Sequence, residues 1–306
     1  MNKKGEITTG KLVLIILTIA GFVVVLLWVF FADFNKIEDE TLCYNSVVQR
    51  ANILKLSKDL VAPSLDCRTS YVCITKDGSC ESMTSPEIVE VKNSDEVYRE
   101  IAERMVSCWD MFGSGKLNYV GKTFDKNLYC SNCYLISFDD SLDFFPNREM
   151  DKRELFRYLS SQEIPETETS YLEYLVGLES SQKIESGLNS VGIDFEKINL
   201  DKQHYLMMGA YSDVSIFKTI LLHGGVAVGT FAVLSLAVAT GGVSAVPVGL
   251  LVFGAGSSVG VGVASGFFVG TIIQGASGQQ FLTPTLVEAN SEKYDKLDCT
   301  SILTLA

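Results

Sequence analysis

Histidine is scarce in this chain of 306 residues, and basic residues are outnumbered by acidic ones. The only histidines are His204 and His223, so neither a histidine-based zinc site nor a Ser-His-Asp arrangement is expected. Lys and Arg number 25 against 37 Asp and Glu, a net charge of −12. Phosphate binding requires clustered cations, so we expect no nucleic-acid partner.

Charge is also lacking from the 21 residues Leu12–Ala32, which are mainly Leu, Ile, Val and Phe. As a helix they span roughly 30 Å, the thickness of a bilayer core. Lysines precede this run and acidic residues follow it, which predicts a cytoplasmic N-terminus and an extracytoplasmic main domain. A cleaved secretory signal is the alternative, but Val29-Phe-Phe-Ala-Asp33 lacks a small-x-small cleavage site.

A second uncharged stretch runs from Thr219 to Val287. Its pattern predicts two helices, Leu222–Thr240 and Val248–Ile273, separated by a segment with Gly-Gly and Pro. Small residues recur every four positions, which would let helix backbones approach closely in lipid. These helix-packing positions are Gly225, Gly229, Gly254, Ser258, Gly262, Gly266 and Gly270. We expect a glycine-zipper helical hairpin; a re-entrant hairpin or one buried in a soluble protein are the alternatives.

Eight cysteines lie outside both runs, and their even number predicts four disulfides in an oxidising compartment. The segment Tyr71–Cys80 predicts a strand, a turn with Gly78 at positive φ and a return strand, which would bring Cys73 close to Cys80. Cys299 needs a partner in the middle domain or in another subunit. The candidates are Cys43, Cys67, Cys73, Cys80, Cys108, Cys130, Cys133 and Cys299.

Cys130-Ser-Asn-Cys133 has three interpretations: a redox motif, half of a zinc site, or two structural half-disulfides with one to Cys108. The last is favoured because a strand-like segment follows the motif. The acidic cluster Asp139, Asp140 and Asp143 could bind a divalent cation, although such loops are usually solvated. Gly113-Ser-Gly-Lys116 lacks phosphate-loop spacing and indicates a helix end. We expect no catalytic, cofactor-binding or metal-ligating residues.

The remaining middle part predicts a mixed α+β domain. Helical spacing extends the anchor helix over 34–60, and Asn93-Ser-Asp-Glu96 is a helix start followed by apolar positions until Gly113. Further helices are expected at Arg148–Ser161 and Tyr171–Val176. Strands are expected at Tyr71–Thr75, Glu87–Lys92, Tyr134–Phe138 and Tyr205–Tyr211.

Together these features predict five parts. They are a cytoplasmic N-terminus (1–11), a transmembrane anchor helix (12–32), a disulfide-stapled extracytoplasmic α+β domain (33–218), the helical hairpin (219–275) and an extracytoplasmic C-terminal tail (276–306). Because a hairpin crosses the membrane twice, Cys299 would lie on the same side as the other cysteines.

Met1-Asn-Lys-Lys-Gly5 followed by an apolar helix resembles the class III, prepilin-type signal of archaeal pilin-like proteins. In that family a peptidase cuts after the glycine and the helix packs in a filament core. The resemblance covers about 30 N-terminal residues. The overall plan is more similar to archaeal membrane-anchored surface proteins with this type of N-terminus.

The leading hypothesis is a membrane-anchored surface or envelope protein that acts by binding or assembly and is not an enzyme. Its expected partners are membrane lipid and either a second copy or another membrane or surface protein. The alternative is a pore-forming or fusion-like oligomer assembled through the glycine-rich hairpin. A third hypothesis is a thiol-disulfide enzyme that uses Cys130 and Cys133.

Overall fold

A computed structural model of the chain describes residues 9–56, 63–120, 128–190, 193, 195–211, 225–228, 231–236, 248–254, 266–276 and 278–301. The predicted α+β class and the four disulfides are confirmed. The helices are α1 Thr9–Leu56, α2 Ser94–Met111, α3 Lys152–Ser161, α4 Tyr171–Val176, α5 Gln182–Ser190 and α6 Glu292–Lys296.

The strands are β1 Ser70–Thr75, β2 Glu87–Glu90, β3 Leu128–Phe138, β4 Glu149–Asp151, β5 Lys197–Asn199, β6 His204–Tyr211, β7 Gly225–Val228, β8 Phe231–Leu236, β9 Val248–Gly254, β10 Gly266–Gln274, β11 Gln280–Glu288 and β12 Thr300–Ser301. Most belong to one mixed sheet in the order β2-β1-β3-β6-β11-β10-β9-β8-β7, with β12 beside β3. The pairs of β1 with β2, β1 with β3 and β12 with β3 are parallel, and the other pairs in this sheet are antiparallel.

The main hydrophobic core lies where helices cover one face of this sheet. Helix α2 packs on β3, β6 and β11, α4 on β10 and β11, and α5 on β8 and β9. Trp109 of α2 meets the ring of Phe281 of β11 edge to face, with centroids 5.7 Å apart, and both side chains are fully buried. Such pairs add roughly 0.5–1.5 kcal/mol beyond area burial. This contact fixes α2 over the middle of the sheet.

Helix α2 follows its local sequence signals closely. The side chain of Asn93 accepts a hydrogen bond from the Glu96 amide at 3.0 Å, and Glu96 accepts one from the Lys92 amide at 2.8 Å. These bonds satisfy two amides at the helix start that have no partner within the helix. Gly113, at a φ of 79°, ends the helix, as predicted from Gly113-Ser-Gly-Lys116. Residues 34–56 likewise continue the N-terminal helix as predicted.

The predicted pairing of Cys73 with Cys80 is confirmed, and Gly78 adopts a φ of 78° in the intervening turn. The predicted return strand is wrong, because residues 76–86 form bends and the next strand, β2, runs parallel to β1. A disulfide needs only a Cα separation of about 4.4–6.8 Å, which a turn supplies without ladder hydrogen bonds. Here the separation is 6.4 Å.

The predicted helical hairpin is wrong in every part of 219–275 that the structure describes. These parts are strands β7, β8, β9 and β10, and they extend the same sheet that contains β3 and β6. A strand that is buried on both faces shows a continuous apolar run without alternation, so a run of Val, Phe, Leu and Ile suits a buried strand as well as a helix. Each interior glycine also costs a helix about 1 kcal/mol relative to alanine.

The glycines chosen as helix-packing positions therefore lie on strands where they are described. Gly254 and Gly266 are direct partners across β9 and β10, and Gly225 begins β7. Gly270 follows a register shift in β10, where an added Cβ would lie 3.2 Å from Leu282 and Thr285 side-chain atoms. Gly229, Ser258 and Gly262 lie outside the described residues. At the described positions the four-residue spacing thus does not mark a helical stripe.

Within the part of the chain that the structure describes, no helix has both the length and the apolar character needed to cross a membrane.

The turn between β10 and β11 approaches the end of α2 closely, and this gives a stability prediction. A Cβ on Gly275 would overlap the carbonyl oxygen of Gly115 and lie 2.6 Å from the Phe281 ring. We expect Gly275→Ala to lower the free energy of unfolding by about 1–3 kcal/mol, measured by urea denaturation with the disulfides intact. Gly21→Ala is the control, since its Cβ meets nothing within 4 Å. Equal midpoints for the two variants would contradict this packing.

Candidate functional site

The junction between α1 and the sheet domain is built from one disulfide and one buried cation. Cys43 of α1 is bonded to Cys67. Seven residues on, the Nε of Arg50 donates to the carbonyl oxygen of Tyr119 at 2.7 Å, and Nη1 donates to that of Pro63. Arg50 is 6% exposed, so these bonds replace water around its charge. The C-terminal part of α1 is therefore held rigidly against the domain.

The N-terminal part of the same helix presents its apolar side chains outward. The large apolar side chains between Val13 and Leu26 are 40–66% exposed. Helix α1 has 48 residues, and at 1.5 Å per residue it is roughly 72 Å long. The described side chains of this part therefore form one exposed apolar surface.

A surface groove lies beside α1, between α2 and the loop that precedes α4. It has a volume of about 620 Å³ and lies within the size range of ligand pockets. Its walls carry three carboxylates, two tyrosines and a group of apolar side chains. The lining residues are Glu40, Thr41, Tyr44, Glu103, Val106, Ser107, Asp110, Met111, Ser114, Ile164, Pro165 and Tyr171. We call this the α1–α2 groove.

A buried lysine occupies the other end of the helical layer, where β10 is irregular. The Nζ of Lys152 donates to the carbonyl oxygen of Val269 at 2.7 Å and lies 3.4 Å from that of Phe268. The register of β10 on β9 shifts between Phe268 and Gly270, and such a bulge leaves backbone groups without ladder partners. Lys152 therefore satisfies carbonyl groups at the bulge.

Burial changes the proton affinity of two groups around this point. Burial, with a smaller effect of nearby Lys293, lowers the pKa of Lys152 to about 7. Burial, with a smaller effect of Lys152, lowers the pKa of His204 to about 4. The His204 Nδ1 is buried and has no hydrogen-bond partner among the described residues.

Lys152 and His204 line one cavity of about 30 Å³, which is large enough for water molecules but not for an organic substrate. An amine with a pKa near 7 can act as a nucleophile, but Lys152 is only 3% exposed. The geometry therefore supports a structural role for this pair. His204 starts β6, whereas His223 lies outside the described residues.

Two carboxylates of the acidic cluster after β3 form ion pairs, and the third accepts a backbone hydrogen bond. Asp143 accepts from Lys76 Nζ at 2.7 Å, and Asp140 pairs with Arg148 Nη2 at 3.0 Å. The Asp139 side chain accepts from the Ser141 amide at 2.9 Å. Among the described residues, no three His, Cys, Asp or Glu are placed to hold a metal ion.

Arg148 links the end of β3 to the start of β6. It donates to the carbonyl oxygens of Phe138, Asp139 and Leu200 at 3.1, 2.7 and 3.3 Å, and its Nε lies 3.0 Å from Asp201 Oδ1. Arg148 has a φ of 54°, a conformation that is costly for a side chain with Cβ. Arg148 lies before α3. The helix that was predicted at Arg148–Ser161 therefore begins four residues later than predicted, at Lys152.

The Cys130-Ser-Asn-Cys133 motif joins two different disulfides. Cys133 pairs with Cys108 of α2, as one interpretation predicted, and Cys130 pairs with Cys299. Cys299 thus finds its partner within the domain. The Cys130–Cys299 bond closes a loop of 169 residues and ties the tail to β3. None of the eight cysteines is free.

Comparison with protein-family models, with curated proteins and with solved structures gives no match to this chain. The interpretation of function therefore rests on the residues themselves. Sequence reasoning missed Arg50, Lys152 and the α1–α2 groove. For Arg50 and Lys152 the sequence does hold a signal, because each is a basic residue among the buried apolar positions of its helix. Lys152, for example, lies on the same side of α3 as Leu155, Phe156 and Leu159.

The lowered pKa of Lys152 predicts a pH dependence of stability. The unfolded state binds more protons than the folded state between pH 7 and the ordinary lysine pKa of 10.5, so the free energy of unfolding should rise with pH in that window. The maximum slope is about 1.4 kcal/mol per pH unit. Lys152→Met should remove this rise, measured by urea denaturation at several pH values from 7 to 10. The exposed Lys202→Met is the control; loss of the slope in both variants, or in neither, would contradict the assignment.

Proposed function

We propose that this chain is a membrane-anchored surface or envelope protein that acts by binding or assembly and has no catalytic role. The observation that carries the proposal is the division of α1 into two parts. One part exposes apolar side chains from Val13 to Leu26, and the other is stapled into the sheet domain through Cys43 and Arg50. A rigid helix with these two ends would hold the domain at a fixed place above a lipid surface.

The sequence supports lipid as the medium around the first part. The 21 residues Leu12–Ala32 carry no charge, and on an insertion scale they favour the membrane by roughly 4–8 kcal/mol. Lys3, Lys4 and Lys11 precede this run, and Asp33 follows it directly. The positive-inside rule then favours a cytoplasmic N-terminus and an extracytoplasmic domain.

The disulfides support the same sidedness. Four disulfides join all eight cysteines: they link α1 to the segment before β1, β1 to the turn after it, α2 to β3, and β3 to the tail. Structural disulfides persist in oxidising compartments and are rare in the cytosol. A domain outside the cell membrane, facing other surface molecules, agrees with this chemistry.

The surface of the domain supports binding. The α1–α2 groove is open to solvent and its size suits a ligand or a peptide segment. The buried lysine, in contrast, has no room for an organic substrate beside it. We therefore place the activity of the protein on its surface.

Anchoring is tested by charging the apolar run. Lysines at Ile19, Val23 and Leu26 should together cost about 8–10 kcal/mol of insertion free energy, more than the run supplies. We expect the wild-type chain to stay in the membrane pellet after an alkaline wash and the triple variant to move to the supernatant. The measurement is fractionation followed by immunoblotting.

The control places lysines at Asn45, Gln49 and Asn52, which are exposed on the same helix beyond the run. This variant should stay in the pellet. If the triple variant in the apolar run also stays, or if the wild-type chain is washed off, α1 is not a membrane anchor.

Sidedness is tested by labelling thiols in intact cells with a membrane-impermeant maleimide. We expect no labelling before reduction, because all eight cysteines are bonded, and strong labelling after an impermeant reductant. A cytoplasmic protein of the same cell with free thiols serves as the control for leakage. Labelling that appears only after the cells are lysed would place the domain on the cytoplasmic side and overturn this part of the proposal.

A further inference from the structure

The α1–α2 groove combines negative charge with an apolar and aromatic floor. Glu40 of α1 and Glu103 and Asp110 of α2 contribute carboxylates, and the described residues that line the groove include no Lys, Arg or His. Arg99 lies just outside it, 3.9 Å from Glu103. The field inside the groove is therefore negative, and it attracts cations.

Two of these carboxylates are held in place by neutral hydroxyl groups. Tyr134 Oη donates to Glu40 Oε1 at 2.9 Å. Ser114 Oγ donates to Asp110 Oδ1 at 2.7 Å, and Tyr174 Oη donates to the same oxygen. A hydroxyl orients a carboxylate without neutralising its charge. These hydrogen bonds thus fix the orientation of both carboxylates in the groove.

Apolar and aromatic side chains complete the groove. Val106 and Ile164 supply half-buried aliphatic surface and Tyr44 supplies an exposed ring, whereas Met111 and Tyr171 line the groove as buried side chains. Tyr44 is 44% exposed, although it follows the buried Cys43 on the same helix. Carboxylates near one exposed tyrosine ring favour a guanidinium or ammonium group, because the ring face also attracts cations. The aliphatic floor favours an apolar side chain next to that cation.

We infer that the α1–α2 groove docks a polypeptide segment of another protein in which arginine or lysine alternates with apolar residues. The argument is charge complementarity, since such a segment would bring the cations that the lining residues lack. The inference deepens the proposed function by naming its partner class. Glu40 lies eight residues beyond Ala32 on α1. If the apolar run is in the membrane, as proposed above, the bound segment would be held roughly 12 Å along the helix from the end of that run.

The test uses the full chain in an uncharged detergent and a short fluorescein-labelled peptide of repeating arginine, leucine and glycine. Binding is measured by fluorescence anisotropy. Two matched peptides carry glutamate in place of arginine, or glycine in place of leucine. We expect saturable binding of the first peptide, no binding of the glutamate peptide and weaker binding of the peptide without leucine. Binding should also weaken as salt is raised, because exposed ion pairs are screened.

The variants locate the peptide on the protein. Glu40→Gln and Asp110→Asn should each weaken binding by roughly three- to fivefold, the usual effect of a partly exposed ion pair. Thr41→Lys places a cation at an exposed position in the groove and should weaken binding more than either. Tyr44→Ala should weaken it by removing one aromatic wall. Circular dichroism and the urea midpoint show whether each variant is folded.

Glu179→Gln is the matched control, because it removes one exposed carboxylate away from the groove. The inference is overturned if the arginine peptide does not bind, or if Thr41→Lys binds it as well as the Glu179→Gln control does. This assay needs no membrane, so its failure is separate from failure of the anchoring test. A chain that stays in the membrane pellet but ignores the peptide would remove the groove assignment alone.

Discussion

The position of α1 on the sheet domain depends on the hydrogen bonds that the buried guanidinium of Arg50 donates. This group joins α1 to two segments far apart in the chain, through the carbonyl oxygens of Pro63 and Tyr119. Near it, the Cys43–Cys67 disulfide ties the same helix to the start of the sheet region. A buried charge that lost these acceptors would cost several kcal/mol, so this contact favours one fixed arrangement of the helix on the domain.

Two other helices also carry a buried basic side chain that bonds to a strand. Arg104 of α2 is 5% exposed, binds Glu87 of β2 with both terminal nitrogens at 2.8 and 2.7 Å, and lies over the ring of Tyr134. Lys152 of α3 satisfies carbonyl groups at the bulge of β10. Desolvation offsets much of the attraction in such contacts, so their main effect is to specify which segments meet. Arg104 in this way holds the short edge strand β2 in register with the helix above it.

Features that depend on a few neighbouring residues could be predicted from sequence. The start of α2 at Asn93, its end at Gly113 and the Cys73–Cys80 bond each arise within a dozen residues. The α1–α2 groove could not be predicted, because its walls come from α1, α2 and the loop before α4, and their meeting depends on packing. The carbonyl groups that Arg50 and Lys152 bind could not be predicted for the same reason. The burial of the two basic side chains could be, because both lie among apolar positions of their helices.

By itself the sequence determined the α+β class, the disulfide chemistry and the helical path from the N-terminal run into the domain. Each of these follows from composition or from a local pattern. The tertiary structure alone decided the conformation of the apolar stretch after Thr219, whose described parts are strands, with Gly254 facing Gly266 across a ladder. A continuous apolar run satisfies a buried strand and a buried helix equally well. Only the free edge of β11, whose backbone groups would otherwise lack partners, selects a strand for β10 and, through it, for β9 and β8.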